Sequence, residues 1–231
     1  MSSEILQLKS RWDKIRIANL YDALDKMGYP NQCLDIGIKP IHHGKRLAGI
    51  ALTFQGAKGP LAKNENGQEE TGEVFFDRVK PYLSEGCVIV IDGGGELYSG
   101  KMGEMTSWFF KQGGATGIVV DGYIRDHLGL EVIPDYTACA RGSSPVESAS
   151  RWRVASINET IALPGTVTHN VMIDAGDWII GGYDGVIVVP AEIAEEALAK
   201  AEEIEELEEN MRQDLINGMS FDDCFNKWGR A

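Results

Sequence analysis

Two short apolar runs constrain the fold of this chain most: Val-Ile-Val-Ile at residues 88–91 and Ile-Val-Val at residues 118–120. Both are β-branched, and both end in aspartate followed by glycine, Asp92-Gly93 and Asp121-Gly122. Uninterrupted runs of this kind read as parallel strands buried on both faces. Residues 106–112 then form the crossover helix between them. Such crossovers are right-handed, so both strands deliver their carboxyl ends to the same edge of the sheet. That edge receives Asp92, the glycine-rich loop ending at Glu104, and the turn Asp121-Gly122-Tyr123-Ile124-Arg125-Asp126. Carboxylates, an arginine and free backbone amides thus converge where open α/β sheets bind ligands.

The flanking sequence supports an α/β reading. Ile15, Ala18, Leu20, Ala23, Leu24 and Met27 recur at helical spacing, and Gly28 with Pro30 closes that helix. Residues 46–54 read as a strand and residues 74–79 as a short helix. The polar, glycine-rich stretch 58–71 reads as a mobile surface loop. After Asp126, short runs alternate with turns, at 131–134, 136–142, 153–157, 165–168, 171–173 and 178–181. Asp184-Gly185 signals a tight hairpin before residues 186–190. Residues 191–217 form a long helix with one apolar face and one glutamate-rich face. Residues 221–228 are a last amphipathic piece. The expectation is one domain over residues 1–231, with a mixed central β layer and helices at both ends of the chain.

Charge narrows the function classes. Asp and Glu total 35 against 22 Lys and Arg, a formal charge of −13, which repels phosphate backbones and argues against nucleic acid as a ligand. No run approaches the ~20 apolar residues of a membrane span, and the first residues lack a signal-length apolar core. The four cysteines are scattered without zinc spacing. A reducing cytoplasm is the expected compartment.

The loop 93–104 nearly spells a phosphate-binding P-loop, with Gly95 and Gly100-Lys101 correctly spaced. Met102, however, stands where a magnesium-binding hydroxyl belongs. Tyr98 likewise replaces the last glycine of a dinucleotide fingerprint. A carboxylate suits this loop better than a polyphosphate. Glu104 and Asp126 are hard oxygen ligands suited to Mg2+ or Mn2+, and Arg125 offers a planar cation to a carboxylate or developing oxyanion.

The stretch from Gly103-Glu104 through Val120-Asp121-Gly122-Tyr123-Ile124-Arg125-Asp126 resembles the RraA-like family. That family holds class II pyruvate aldolases acting on 4-hydroxy-4-methyl-2-oxoglutarate and 4-carboxy-4-hydroxy-2-oxoadipate, and also regulators of RNA degradation. Its aldolase motif is an acid, twenty positions, Arg-Asp and a further acid, which Glu104, Arg125, Asp126 and Glu131 match. Leu20-Tyr-Asp-Ala-Leu-Asp-Lys-Met-Gly resembles the family's N-terminal helix, and Cys139-Ala-Arg-Gly and Ala175-Gly-Asp two of its turns. Residues 184–190 resemble its closing strand. Glu104 departs from the more frequent aspartate, and the polar residues 64–71 replace a short Asn- or His-bearing helix.

The resemblance implies a layered sandwich of the swivelling β/β/α type and a divalent-metal-dependent carbon–carbon lyase. It would cleave a 4-hydroxy-2-oxo acid to pyruvate and a second carbonyl compound, and would also decarboxylate oxaloacetate. It implies metal on Asp126, with Glu104 acting through water, and substrate held by Gly100, Met102, Gly103, Glu104, Met105 and Arg125. Assembly as a homotrimer or hexamer follows, with Glu208 or Glu209 of a neighbouring C-terminal helix near the site. A non-catalytic regulator of an RNA-degradation enzyme, and a lyase or hydratase of sugar-derived acids, are the alternatives.

Overall fold

The computed structural model describes residues 2–63, 66, 67, 69 and 71–229. The strands are β1 (Lys39–Pro40), β2 (Leu47–Lys58), β3 (Cys87–Ile91), β4 (Gly117–Ile124), β5 (Thr137–Ser143), β6 (Trp152–Ile157), β7 (Ile161–Pro164), β8 (Asn170–Ile173), β9 (Trp178–Gly182) and β10 (Gly185–Val189). The helices are α1 (Ser2–Trp12), α2 (Ile17–Lys26), α3 (Gly72–Val79), α4 (Glu104–Gln112), α5 (His127–Glu131), α6 (Ala194–Ile216) and α7 (Phe221–Trp228). Strand order in the main sheet is β1-β5-β4-β3-β2-β9-β10, with β6 also on β2 and β7-β8 as a separate pair. β2, β3, β4 and β5 run parallel, and the other pairings are antiparallel. β2 is long because it serves two partners, β9 against residues 47–50 and β6 against residues 54–58.

Strand alternation explains how this sheet is filled. Ile89, Ile91, Ile118 and Val120 face one cluster, packed under the crossover helices with Phe54, Phe110 and Ile133. Val88, Val90 and Val119 point the opposite way, into a second cluster with Ile179, Val186, Val188 and the β7-β8 residues Ile161, Leu163, Val171 and Ile173. A third cluster joins Trp12, Leu20 and Leu24 to Trp178, Ile180, Ile187 and the α6 residues Ala197, Leu198 and Ala201. Because β1 lies beside β9 and β10, the sheet curls until it is nearly closed. The apolar runs are therefore covered on both faces, as buried parallel strands require.

Several elements differ from the sequence reading. α1, which the sequence reading did not include, presents Ile5, Leu8 and Trp12 at helical spacing to the core, with Trp12 fully buried against Trp178, ring centroids 6.1 Å apart. β2 runs past residue 54 because β6 arrives to pair with it. The chain around residues 127–131 is helical, and strand β7 precedes rather than includes the turn at 165–168. β4 does not stop at Val120: after an irregularity, Tyr123 and Ile124 pair again with Gly142 and Ser143 of β5. Residues 64, 65, 68 and 70 of the expected loop lie outside the described residues. Among the described residues no helix is long and apolar enough to cross a membrane.

α4 is the element that carries the site. Phe110 anchors it, fully buried and edge-on to Phe54 at 6.0 Å. Truncation to Phe110→Ala leaves a cavity that the curled sheet cannot collapse into, so stability should fall by about 3–5 kcal/mol. Denaturant unfolding monitored by far-UV circular dichroism measures that loss, and a cost below about 1 kcal/mol would refute the anchoring role.

Candidate active site

The end of β4 and the segment entering α4 are laced together by main-chain hydrogen bonds. Lys101 donates to the Tyr123 carbonyl and Arg125 to the Met102 carbonyl, both at 2.8 Å, while Gly100 donates to Val146 at 2.9 Å. The approach is too close for side chains on the loop. A β-carbon at Gly100 would collide with Arg125 Cγ and lie 2.7 Å from the Ser144 carbonyl oxygen; one at Gly103 would collide with Asp126 Oδ2. Glycine is required at both positions.

Asp126 stands in left-handed backbone conformation, φ 57° and ψ 48°, immediately before α5. Aspartate tolerates that region better than most residues, at a cost of order 1 kcal/mol. The strained conformation brings its Oδ2 to the first-turn amide of α4, which donates from Glu104 N at 3.2 Å. A carboxylate at a helix N-terminus is favoured by the amides and by the helix dipole. Among the described residues Oδ1 makes no hydrogen bond, and the amides of Met102 and Gly103 likewise have no partner.

Arg125 extends its guanidinium into the same space. Its Nε is buried and has no hydrogen-bond partner, and Nη1 lies 3.8 Å from Glu147 Oε1, a long pairing with a carboxylate that is 71% exposed. A buried guanidinium nitrogen without an acceptor is costly unless a ligand supplies one. Arg125 and Asp126 line a cavity of about 330 Å³ together with Gly100, Met102, Gly103 and Met105. Its far side comes from α3 and β6, through Phe75, Phe76, Trp152 and Val154.

Six expected site residues are thus brought together. Glu104 is placed differently: its carboxylate lies over α5, where a β-carbon on Gly129 would collide with it, and it does not line the cavity. Glu131 is exposed at the end of α5. Glu208 accepts from Asn19 at 3.0 Å and Arg16 at 3.3 Å, and Glu209 pairs with Arg212 and Gln213, all away from this chain's cavity. His127, adjacent to Asp126, stacks on buried His42 at 4.4 Å rather than facing the cavity. Burial pushes the His42 imidazole below its ordinary range despite its hydrogen bond to the His127 carbonyl.

The carboxylates expected to converge at the edge instead divide into two groups. Asp92 accepts from Gly94 N at 2.8 Å, and burial first, then neighbouring Asp121, raises its carboxyl above the usual range. Asp121 accepts from Arg141 Nε at 2.7 Å, and Arg141 also donates to Asp35 at 2.9 Å. Arg141 is therefore a structural clamp between β4, β5 and the segment before β1. Glu147, Ser148, Trp152 and Arg153 line the cavity from sequence positions that carry no motif, so only their fold-level proximity reveals them.

Among the described residues no three His, Cys, Asp or Glu side chains group to hold a metal. The donor set nevertheless fits Mg2+ or Mn2+, which keep several waters and bind proteins through one or two carboxylates. Asp126 offers one unengaged oxygen on the cavity wall, beside a guanidinium that calls for an anionic co-ligand. Zinc, which wants a closed set of nitrogen and sulfur donors, does not fit.

With this geometry in place, the comparisons give the class and then the family. Folded chains of the same architecture include an uncharacterized protein from Pseudomonas syringae pv. tomato, TM-score 0.77 at 23% identity, covering 95% of this chain and 96% of that one. Streptomyces coelicolor RraAS2, described as "an unusual member of the RNase ES inhibitor RraA protein family", superposes with TM-score 0.72 at 25% identity, covering 89% and 96%. The RraA-like family model, Aldolase/RraA, matches residues 17–188, and the chain belongs to that family. A Halalkalibacterium halodurans protein named "Putative 4-hydroxy-4-methyl-2-oxoglutarate aldolase" is 30% identical over 201 residues, covering 87% of this chain and 85% of its own.

Below the cavity floor, Lys101 has no exposed side-chain surface and pairs with Glu96, also donating to the Glu96 carbonyl at 2.7 Å. Burial opposes ionisation of Glu96, but Lys101, the Ser99 hydroxyl and the amides of Tyr98 and Ser99 outweigh it and hold the carboxyl at about 2, against 4.5 ordinarily. A depressed carboxyl stabilises the fold fully above its unfolded value, and that contribution is lost as pH falls from about 4.5 through about 2. Lys101→Met should cost about 3–5 kcal/mol near neutrality, because it strands a buried carboxylate. It should also remove the share of the acid loss that comes from Glu96, leaving that of the other depressed carboxyls, Glu202 and Asp214. Unfolding titrations at several pH values read both effects, and an unchanged acid profile in Lys101→Met would contradict the assignment.

Proposed function

We propose that this protein is a divalent-metal-dependent carbon–carbon lyase that cleaves a 4-hydroxy-2-oxo acid, such as 4-hydroxy-4-methyl-2-oxoglutarate, to pyruvate and a second carbonyl compound. The observation that carries the reading is the unpartnered, buried Arg125 Nε beside Asp126, lining one small cavity with Met102 and Gly103, whose amides have no partner among the described residues. That arrangement suits a planar 2-oxo acid. Similarity to the Halalkalibacterium halodurans protein supports the reaction class.

In this proposal Asp126 would hold the metal, and Glu104, which lies over α5 outside the cavity lining, would reach it only through water. Mg2+ or Mn2+ there would supply Lewis acidity to a 2-oxo acid. The amides of Met102, Gly103 and Met105 would orient the pyruvyl carboxylate, that of Glu104 being engaged by Asp126. Arg125 donates to the keto oxygen and stabilises the enolate charge that forms there, an oxyanion role commonly worth about 3 kcal/mol. A water held beside Asp126 takes the C4 hydroxyl proton, the C3–C4 electron pair passes to the pyruvyl half, and a proton returns to C3. Oxaloacetate decarboxylation uses the same enolate. Assembly as a homotrimer or hexamer, with Glu208 or Glu209 of a neighbouring subunit near the cavity, belongs to the same proposal.

The likeness to Streptomyces coelicolor RraAS2 favours one second reading, a regulator of an RNA-degrading enzyme. Pyruvate release from 4-hydroxy-4-methyl-2-oxoglutarate separates the two. Turnover should require Mg2+ or Mn2+ and stop with a chelator. Asp126→Ala and Arg125→Ala should each lower kcat/KM by about 100-fold or more. Full turnover in Asp126→Ala would remove the site from the account, and no turnover with any metal would favour the regulator.

A further inference from the structure

The cavity has two unlike ends, and its second end bears on what the substrate carries beyond its pyruvyl half. On the far side from Arg125 and Asp126 the wall is built by Leu61, Phe75, Phe76, Trp152 and Val154. This wall is held in place before any ligand arrives. Phe75 packs edge-on against Phe54 at 6.3 Å and Phe110 at 6.5 Å, and Phe76 stacks on Phe109 at 4.3 Å. Arg78 ties α3 to β6 by donating to the carbonyls of Val154 at 3.2 Å and Ala155 at 2.9 Å.

The charged groups on the lining do not favour a second carboxylate there. The Lys101 ammonium is fully buried and paired with Glu96. Arg153 donates Nη1 to the Lys58 carbonyl at 2.9 Å, across the β2-β6 pairing. Asp126 and Glu147 stand at the Arg125 end, with Glu147 Oε1 3.8 Å from Arg125 Nη1. With Arg125 serving the keto oxygen, a distal carboxylate would meet apolar surface and, among the described lining residues other than the buried Lys101, a single cation, Arg153, whose Nη1 is already given to main chain. At about 330 Å³ the space falls in the range of sites for small organic molecules.

We infer that substrates with an apolar substituent at C4, branched alkyl or aryl, which leave an apolar aldehyde or ketone, are preferred over diacids such as 4-hydroxy-4-methyl-2-oxoglutarate, which this lyase cleaves more slowly to a second oxo acid. The inference rests on the aldolase reading for the reaction and on the apolar wall for the selectivity. The chemistry is unchanged: the C4 hydroxyl becomes the carbonyl of the leaving compound, and the pyruvyl half gains the proton at C3.

Calorimetric titration of the intact protein in MgCl2 tests this with two probes, phenylpyruvate and 2-oxoglutarate. Phenylpyruvate should bind at least about tenfold tighter, as expected when a hydrophobic pocket is filled. Phe75→Ala should reduce the preference to about twofold. Because Phe75 also touches the core, Leu61→Asp, on the loop side of the wall, provides an independent variant expected to lose the same preference. Equal or tighter binding of 2-oxoglutarate, or a preference that survives both wall variants, overturns the inference. Turnover separates it from the reaction assignment. If 4-hydroxy-2-oxo-4-phenylbutanoate yields no pyruvate while the phenylpyruvate preference holds, the aldolase reading fails alone. If only diacids are cleaved, the apolar selectivity fails alone.

Discussion

The close passage of the backbone at Gly100–Gly103 over Ile124, Arg125 and Asp126 is the constraint from which the rest of the site follows. Two glycines without side chains let the loop dock on the end of β4, and main-chain hydrogen bonds from Lys101 to Tyr123 and from Arg125 to Met102 hold it there. Docking sets the start of α4 against Asp126, whose carboxylate takes the first-turn amide of Glu104. Asp126 accepts a left-handed backbone to do so. The strain is offset by a hydrogen bond to a helix terminus and leaves one carboxylate oxygen for a ligand. Beneath the loop, the buried Lys101–Glu96 pair fixes its floor.

This geometry gives the site its division of labour. Main-chain amides, a guanidinium and a carboxylate come from two adjacent strand-to-helix junctions of a parallel sheet, where carboxyl ends gather at one edge. The apolar wall comes from elsewhere, from the crossover that precedes β3 and from the antiparallel strand β6 on the second half of β2. The Arg125-Asp126 end and the apolar wall thus sit on different elements.

Much of this was legible in the residues. Buried β-branched runs announced β3 and β4, the Arg125-Asp126 pair and the glycine loop announced the cavity, and the glutamate-striped helix announced α6. What stayed hidden depends on contacts between distant residues. α1 is mostly polar, and its short Ile5-Leu8-Trp12 stripe gains meaning only where it meets Trp178 and the rest of that cluster. Asp92 and Asp121 share the Asp-Gly signature that marked the edge, yet one is satisfied by Gly94 and the other by Arg141. Locally, Asp126 is set apart by Arg125 before it and by His127, not glycine, after it. Glu147 and Trp152 reach the cavity through the pairing of β6 with β2, which no nearby residue pattern encodes.

Metal recognition by the Arg125-Asp126 cradle is the point on which the functional account turns, and manganese reports it directly. Electron paramagnetic resonance of Mn2+ titrated into the protein, with and without oxalate as a flat mimic of the pyruvate enolate, measures binding without turnover. The account predicts weak binding by Asp126 alone, marked tightening when oxalate bridges ion and Arg125, and loss of both in Asp126→Asn. Manganese binding that ignores oxalate, or that persists unchanged in Asp126→Asn, would contradict it.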